Sequence, residues 1–239
     1  MHKTKKILAV IAVAAVMLLP VRGYAQLDRV NEMTGLILTT TANTMEEGKV
    51  SLEAYSYVNS LLTFDFSAIG SEFLSYMGLS AMYGVSKTME VGVNINDFIT
   101  GGGGIVLPEV HLNGKVNLLP GYRGEMKGIA VMGQVSYNAN TTNLGYQICG
   151  ICSTVIEDAV GFTVHAGIIP SNYLNIGLVT SPSGFTNFMI ELGYEGTLMI
   201  MPGIRFGSTS GLEIKLGATV FEGSAFGLLN LVGTVGLKF

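Results

Sequence analysis

Two cysteines are the residues in this chain that most readily suggest chemistry, because they stand three positions apart in Cys149-Gly150-Ile151-Cys152. A C-x-x-C pair serves as a redox couple or supplies half of a zinc site. Zinc would need two further ligands, and the chain has no second cysteine pair. A redox couple would need a helix N-terminus to lower a thiol pKa, and no helical pattern lies nearby. We therefore predict a local disulfide between Cys149 and Cys152 in a loop at 139–158, with no metal and no cofactor.

Two histidines follow the first 25 residues, His111 and His165. A hydrolase would combine one of them with a nucleophile and an acid. The sequence contains no Gly-x-Ser-x-Gly motif, which would place a serine on a sharp strand-to-helix turn. We predict no enzymatic activity and no catalytic residues, and we expect both imidazoles to line a polar interior. A membrane-embedded hydrolase that uses His111 or His165 is a less favoured alternative.

Charged side chains recur at alternate positions in segments whose other positions are mostly apolar. Alternation places them on one face of an extended strand. Buried charges without partners are costly, so these side chains either pair with one another or contact water. Six are acidic and four are basic, so an interior that water enters would favour cations and small polar solutes. The set is Glu53, Glu90, Glu109, Lys115, Glu191, Glu195, Arg205, Glu213, Lys215 and Lys238.

Period-2 alternation over about ten residues, interrupted by turn residues, is the pattern that carries these side chains. In the clearest segment, 109–118, Val110, Leu112 and Val116 alternate with polar residues. We predict about twelve strands, with ten as the alternative, and the candidates at 62–68 and 173–180 are the weakest. The clear candidates are 49–58, 89–96, 109–118, 129–137, 160–168, 188–194, 212–220 and 231–239, and the weaker ones are 62–68, 73–83, 173–180 and 198–206.

The composition favours a barrel in a membrane over a soluble sandwich. Charged residues make up only 13% of the chain, hydrophobic residues 49%, and 32 residues are glycine. The positions opposite the apolar ones are often Gly, Ser, Thr or Asn, which suit a crowded barrel interior. Only helices and closed barrels satisfy every backbone polar group inside lipid, and after residue 19 no apolar run is long enough for a spanning helix. We predict an all-β, closed antiparallel transmembrane barrel.

The beginning of the chain has the pattern of an export signal. Basic residues precede an apolar run from Ile7 to Leu19, and small residues follow before Gln26. We predict a cleaved signal peptide at 1–25. The remaining chain is acidic and has no basic stripe, which argues against nucleic acid as a partner. Residues 26–48 are predicted to plug the barrel or to contribute its first strand, and 49–239 to form the barrel.

The end of the chain, LVGTVGLKF, alternates apolar residues up to an aromatic last residue. In this respect the sequence resembles bacterial outer-membrane β-barrel proteins. The resemblance implies that Leu231, Val235, Leu237 and Phe239 form the signal that the barrel-assembly machinery recognises. It also implies a location in the outer membrane of a Gram-negative-type, two-membrane bacterium, in contact with its lipid. The stretch from Thr34 to Tyr55 is similar to the opening of several uncharacterised barrel families.

Together these features predict a narrow passive pore or transporter for small polar solutes, lined by the charges above and by His111 and His165. A structural or surface-interaction barrel with a closed, salt-bridged interior is the main alternative. The sequence does not identify a solute, an oligomeric state or an open lumen.

Overall fold

The computed structural model is a closed barrel of twelve antiparallel strands. It describes residues 36, 39–58, 77–96, 109–119, 128–139, 141–156, 159–169, 173–180, 184–194, 196–207, 211–223 and 225–239. The predicted signal peptide at 1–25 and the predicted strand at 62–68 lie outside these residues. The strands are β1 Val50–Val58, β2 Met77–Ser86, β3 Met89–Asn96, β4 Glu109–Asn117, β5 Gly128–Asn138, β6 Asn143–Ile156, β7 Val160–Ile169, β8 Leu174–Thr180, β9 Thr186–Tyr194, β10 Leu198–Gly207, β11 Gly211–Glu222 and β12 Ala225–Lys238.

Each strand pairs with its neighbours in sequence, and β1 closes the ring against β12. The closing register runs from Ser51 opposite Lys238 to Val58 opposite Leu231. Phe239 extends this pairing, because its N–H donates to Val50 O over 2.9 Å and its carbonyl accepts from Val50 N over 2.8 Å. The predicted closed antiparallel barrel of about twelve strands is therefore confirmed. No helix among the described residues is long and apolar enough to cross a membrane.

The alternation in the sequence separates the inside of the barrel from the outside. On β4, His111, Asn113 and Lys115 are buried, whereas Leu112 and Val116 are exposed. The same separation holds around the ring, so the inner wall is largely polar and the outer wall is largely apolar. Rows of apolar side chains continue across neighbouring strands on the outside, as with Leu52, Leu237 and Leu212 on β1, β12 and β11.

Strand β6 corrects the prediction of a loop at 139–158. Its inward positions include the apolar side chains of Cys149 and Ile151, both buried, while its outward positions are also largely apolar. The polar-apolar contrast on which the prediction rested is therefore weak in this segment. The count of twelve is reached with β6 as a member, and the weak candidate at 173–180 corresponds to β8.

Pro202 lies within β10, at a position where a proline is tolerated. It stands opposite Ile190 of β9, and on its other side the pairing with β11 shifts register between Ile200 and Gly203. Because proline has no N–H to donate, it is confined in sheets to edges and irregular positions such as this one.

The two ends of the barrel differ in the lengths of their connections. At the end where β1 begins and β12 ends, four of the five connections are short, and 118–127 is the exception. At the opposite end, the other four connections are also short, but β1 joins β2 through residues 59–76 and β3 joins β4 through 97–108. We call these the terminal end and the loop end.

Candidate functional site

The lumen is the candidate site, and part of the chain lies inside it. We call Leu36 together with residues 39–48 the inner segment. Its residues Leu36, Thr39, Thr40, Thr41 and Ala42 are at most 5% exposed. This is the described part of the region 26–48, for which a plug or a first strand was predicted, and β1 begins after it at Val50.

Glycines on the barrel wall allow the inner segment to approach closely. A Cβ at Gly84 of β2 would stand 2.1 Å from the carbonyl oxygen of Glu46, and one at Gly177 of β8 would stand 2.5 Å from Leu36 Cδ1. Gly84 also accepts a hydrogen bond from Gly48 N over 2.8 Å. Since backbone cannot yield to a new side chain, the inner segment requires a glycine at Gly84.

One side of the inner segment is held by β3, β4 and β6. The N–H of Met45 donates to the Glu90 carboxylate, and Lys115 Nζ donates to the carbonyl oxygen of Thr41 over 3.0 Å. The N–H of Ala42 donates to Ser153 Oγ over 2.8 Å. Glu90 and Lys115 also form an ion pair with 2.8 Å between Oε1 and Nζ, and both side chains are fully buried.

The other side of the inner segment is held by the opposite wall. The N–H of Thr39 donates to Glu191 Oε2 of β9 over 2.7 Å, and Lys215 Nζ of β11 lies 3.5 Å from the carbonyl oxygen of Leu36. In a ring of twelve strands, β9 lies six positions from β3, which carries Glu90. The inner segment therefore spans the lumen from one wall to the opposite wall.

A second cluster of inward charges lies on β1 and β10–β12, apart from Glu109 on β4. Lys215 Nζ lies 3.2 Å from Glu53 Oε1 and 3.7 Å from Glu213 Oε2. Glu213 also meets Lys238 Nζ at 3.0 Å and Arg205 Nε at 3.9 Å. Cross-strand packing brings these groups together. Glu195 lies outside the described residues.

The two histidines contact different polar groups. His111 Nε2 lies 3.3 Å from Glu109 Oε1, and the Gln134 amide contacts its Nδ1. His165 Nε2 is 2.7 Å from the hydroxyl oxygen of Tyr173. That hydroxyl also lies 3.0 Å from the sulfur of Cys149. Both imidazoles are buried at the inner wall, with amide, carboxylate and phenol groups as neighbours.

The predicted disulfide between Cys149 and Cys152 is wrong. Neither cysteine forms a disulfide, and Cys149 is buried whereas Cys152 is exposed. The two residues lie on β6 and not in a loop, and successive side chains of a strand point to opposite faces. Two residues three positions apart therefore face opposite sides of the barrel wall.

The residues of the predicted assembly signal lie on the outer wall at the closing seam. Leu231, Val235, Leu237 and Phe239 are between 40% and 60% exposed. They continue the apolar outer surface from β12 across to β1 and β11.

A row of uncharged polar side chains on β2–β6 was not singled out from the sequence. Ser80 stands opposite Asn94, and Asn113, Gln134 and Gln147 stand opposite one another on β4, β5 and β6. All five belong to the inward set of the alternation, which was the available signal. We call these five residues the amide wall.

The barrel is similar to porins among the solved structures. Against the "KdgM porin in complex with disordered oligogalacturonate" the TM-score is 0.51 at 5% identity, over 80% of this chain and 98% of that chain. For the "KdgM porin" the TM-score is 0.49 at 6% identity, over 79% of this chain and 98% of that chain. For "LpxR from Salmonella typhimurium" the TM-score is 0.44 at 12% identity, over 80% of this chain and 100% of that chain. No protein-family model matches the chain, and no curated protein does. The first of these likenesses shows a shared barrel fold.

Proposed function

We propose that this protein is an outer-membrane channel for small polar solutes whose lumen is closed, in the state described, by the inner segment. The observation that carries the proposal is the course of the inner segment from Glu90 on one wall to Glu191 on the opposite wall. A pore needs a polar inner wall in a barrel with an apolar outside, and a segment across its lumen is placed to control passage.

The outer surface and the loop lengths support the membrane location. Exposed apolar side chains such as Leu112, Val135 and Leu216 cover the outer wall on several strands. In outer-membrane barrels the longer loops are extracellular and the shorter turns periplasmic. The loop end would then face the outside, and the inner segment would enter from the periplasmic side. The fold shared with a porin agrees with this assignment.

A structural barrel with a permanently closed lumen is the second candidate, and the buried ion pairs favour it. Lys215, Glu53, Glu213 and Lys238 satisfy one another and need no solute. The two candidates differ in whether the inner segment can leave the lumen. A gate must be able to leave it, whereas a structural element stays in place.

A reversible disulfide between the inner segment and the wall tests the proposed function. The 2.8 Å hydrogen bond from Ala42 N to Ser153 Oγ places residue 42 against the side chain of residue 153, and Ala42 packs in one buried cluster with Ile151 of the same strand, so these two positions are chosen for the disulfide. The variant A42C/S153C would be made in the full chain with Cys149 and Cys152 changed to serine. Single-channel currents would be recorded in planar bilayers, with A42C alone as the control.

The oxidised variant is expected to be silent and the reduced variant to conduct. Equal currents before and after reduction would place the inner segment outside the conducting path. Silence of the reduced variant, of the control and of the unmodified protein would favour the structural barrel.

A further inference from the structure

The amide wall is a row of polar side chains that crosses five strands, and several of its hydrogen-bonding groups lack partners. Within the residues that the structure describes, neither polar side-chain atom of Asn94 or of Asn113 has a hydrogen-bond partner. Ser80 Oγ and Gln147 Nε2 have none either. All four side chains are more than nine-tenths buried. Buried polar groups are almost always paired, so this concentration on one wall needs an explanation.

The register makes these residues one surface. Asn113, Gln134 and Gln147 stand directly opposite one another. On β3 the residue opposite Asn113 is Gly92, and Asn94 is the next inward residue along that strand. Ser80 extends the row to β2. Neighbouring strands are about 4.8 Å apart, so five strands present a polar row of about 19 Å along the curved wall.

The inner segment contacts the inward side chains that lie next to the amide wall, one step closer to the terminal end. Lys115, which follows Asn113 on the inward face of β4, donates to Thr41 O. Met82 and Cys149, which follow Ser80 and Gln147, pack in one buried cluster with Met45 and Ala42 of the inner segment. Withdrawal of the inner segment would therefore open space along the terminal side of the amide wall.

The chemistry of the row favours a neutral solute that both donates and accepts hydrogen bonds. Each side-chain amide offers one acceptor and two donors, and each hydroxyl offers both. The nearest charged side chains on these strands have partners: Glu90 and Lys115 pair with each other and with the inner segment, and Glu109 lies 3.3 Å from His111, which stands opposite Asn94. An acidic solute would find no unpaired cation among these described residues.

We propose that the amide wall is the binding surface for a neutral carbohydrate, which uses its hydroxyl groups to satisfy Asn94, Asn113, Gln147 and Ser80. This inference rests on the proposed channel function and names its class of solute. A row of adjacent hydroxyls on a sugar chain matches a row of amides on adjacent strands, because both alternate donors and acceptors along a line.

Interruption of single-channel currents by sugars tests this inference. Maltotriose would be added to the loop side of open channels of the full-length protein, and trigalacturonate would be added in a parallel experiment. Saturable interruption by maltotriose is expected, with an apparent affinity at least about tenfold above that of trigalacturonate. In N94A/N113A the affinity for maltotriose is expected to fall at least about tenfold. N113A and Q147A, tested singly, are expected to show smaller losses if the double variant does not fold.

The matched control is N230A, which removes an inward asparagine on β12, away from the amide wall. Its affinity for maltotriose is expected to stay unchanged. A channel that conducts ions but is not interrupted by maltotriose would overturn the carbohydrate surface and leave the channel intact. Unchanged affinity in folded N94A/N113A, or tighter binding of trigalacturonate, would overturn it as well. A protein that never conducts ions would overturn the proposed channel itself.

Discussion

Replacement of Glu191 by alanine is predicted to raise the fraction of time that the channel is open. Glu191 Oε2 accepts the hydrogen bond from Thr39 N over 2.7 Å, and its side chain is buried. A hydrogen bond to a charged group contributes about 1.5–3 kcal/mol. Its loss from the closed state alone would shift the ratio of open to closed channels by about 10-fold to 150-fold, since about 1.4 kcal/mol corresponds to a factor of ten.

Single-channel recording in planar bilayers measures this ratio directly as the open probability. E191Q keeps an acceptor oxygen at the same place but removes the charge, so its effect is expected to be clearly smaller than that of E191A. E109A is the matched control for the loss of an inward carboxylate, because Glu109 lies at the loop end beside His111. An open probability in E191A no higher than in E109A would refute the view that this contact holds the inner segment.

Three further predictions concern the wall and its contacts. K115M is expected to lower the free energy of unfolding by about 3–5 kcal/mol, because it leaves Glu90 buried without its cation. E90L/K115M is expected to lose less stability than K115M alone. Urea unfolding in lipid vesicles measures both variants, and equal losses of stability would contradict the pairing of Glu90 with Lys115. G84A is expected to raise the open probability, because its Cβ would meet Glu46 O at 2.1 Å, whereas G114A, whose Cβ would meet nothing within 4 Å, is expected to behave as wild type. A membrane-soluble maleimide is expected to modify Cys152 and to spare Cys149 in the folded protein, and mass spectrometry measures the labelling of each. Equal labelling of Cys149 and Cys152 without prior reduction would contradict the opposite orientations of the two thiols.

The sequence was sufficient for the barrel because most strands contrast a polar face with an apolar one. In β4 every second residue is polar, and its bounds at Glu109–Asn117 follow the pattern closely. In β6 the inward Cys149 and Ile151 contact other apolar groups of the lumen, so the contrast is lost and the pattern predicts a loop where the structure has a strand. The incorrect disulfide followed from that error, since only a bend would bring the two thiols together.

The contacts inside the lumen follow from the barrel's closure and could not be read from local patterns. Thr39 and Glu191 are 152 positions apart, and their meeting depends on the closure of twelve strands into one ring. The pairing of Glu90 with Lys115 is more local, because the two residues stand directly opposite on β3 and β4. The unpartnered amides were hidden for a different reason, since a sequence does not show which polar groups remain without hydrogen bonds.

The most direct test of the account is the current through one A42C/S153C channel before and after a reducing agent is added. We expect no current while the disulfide ties the inner segment to β6, and open events in the same channel once the disulfide is reduced. A current of unchanged size and frequency across the reduction would contradict the claim that the inner segment closes the lumen.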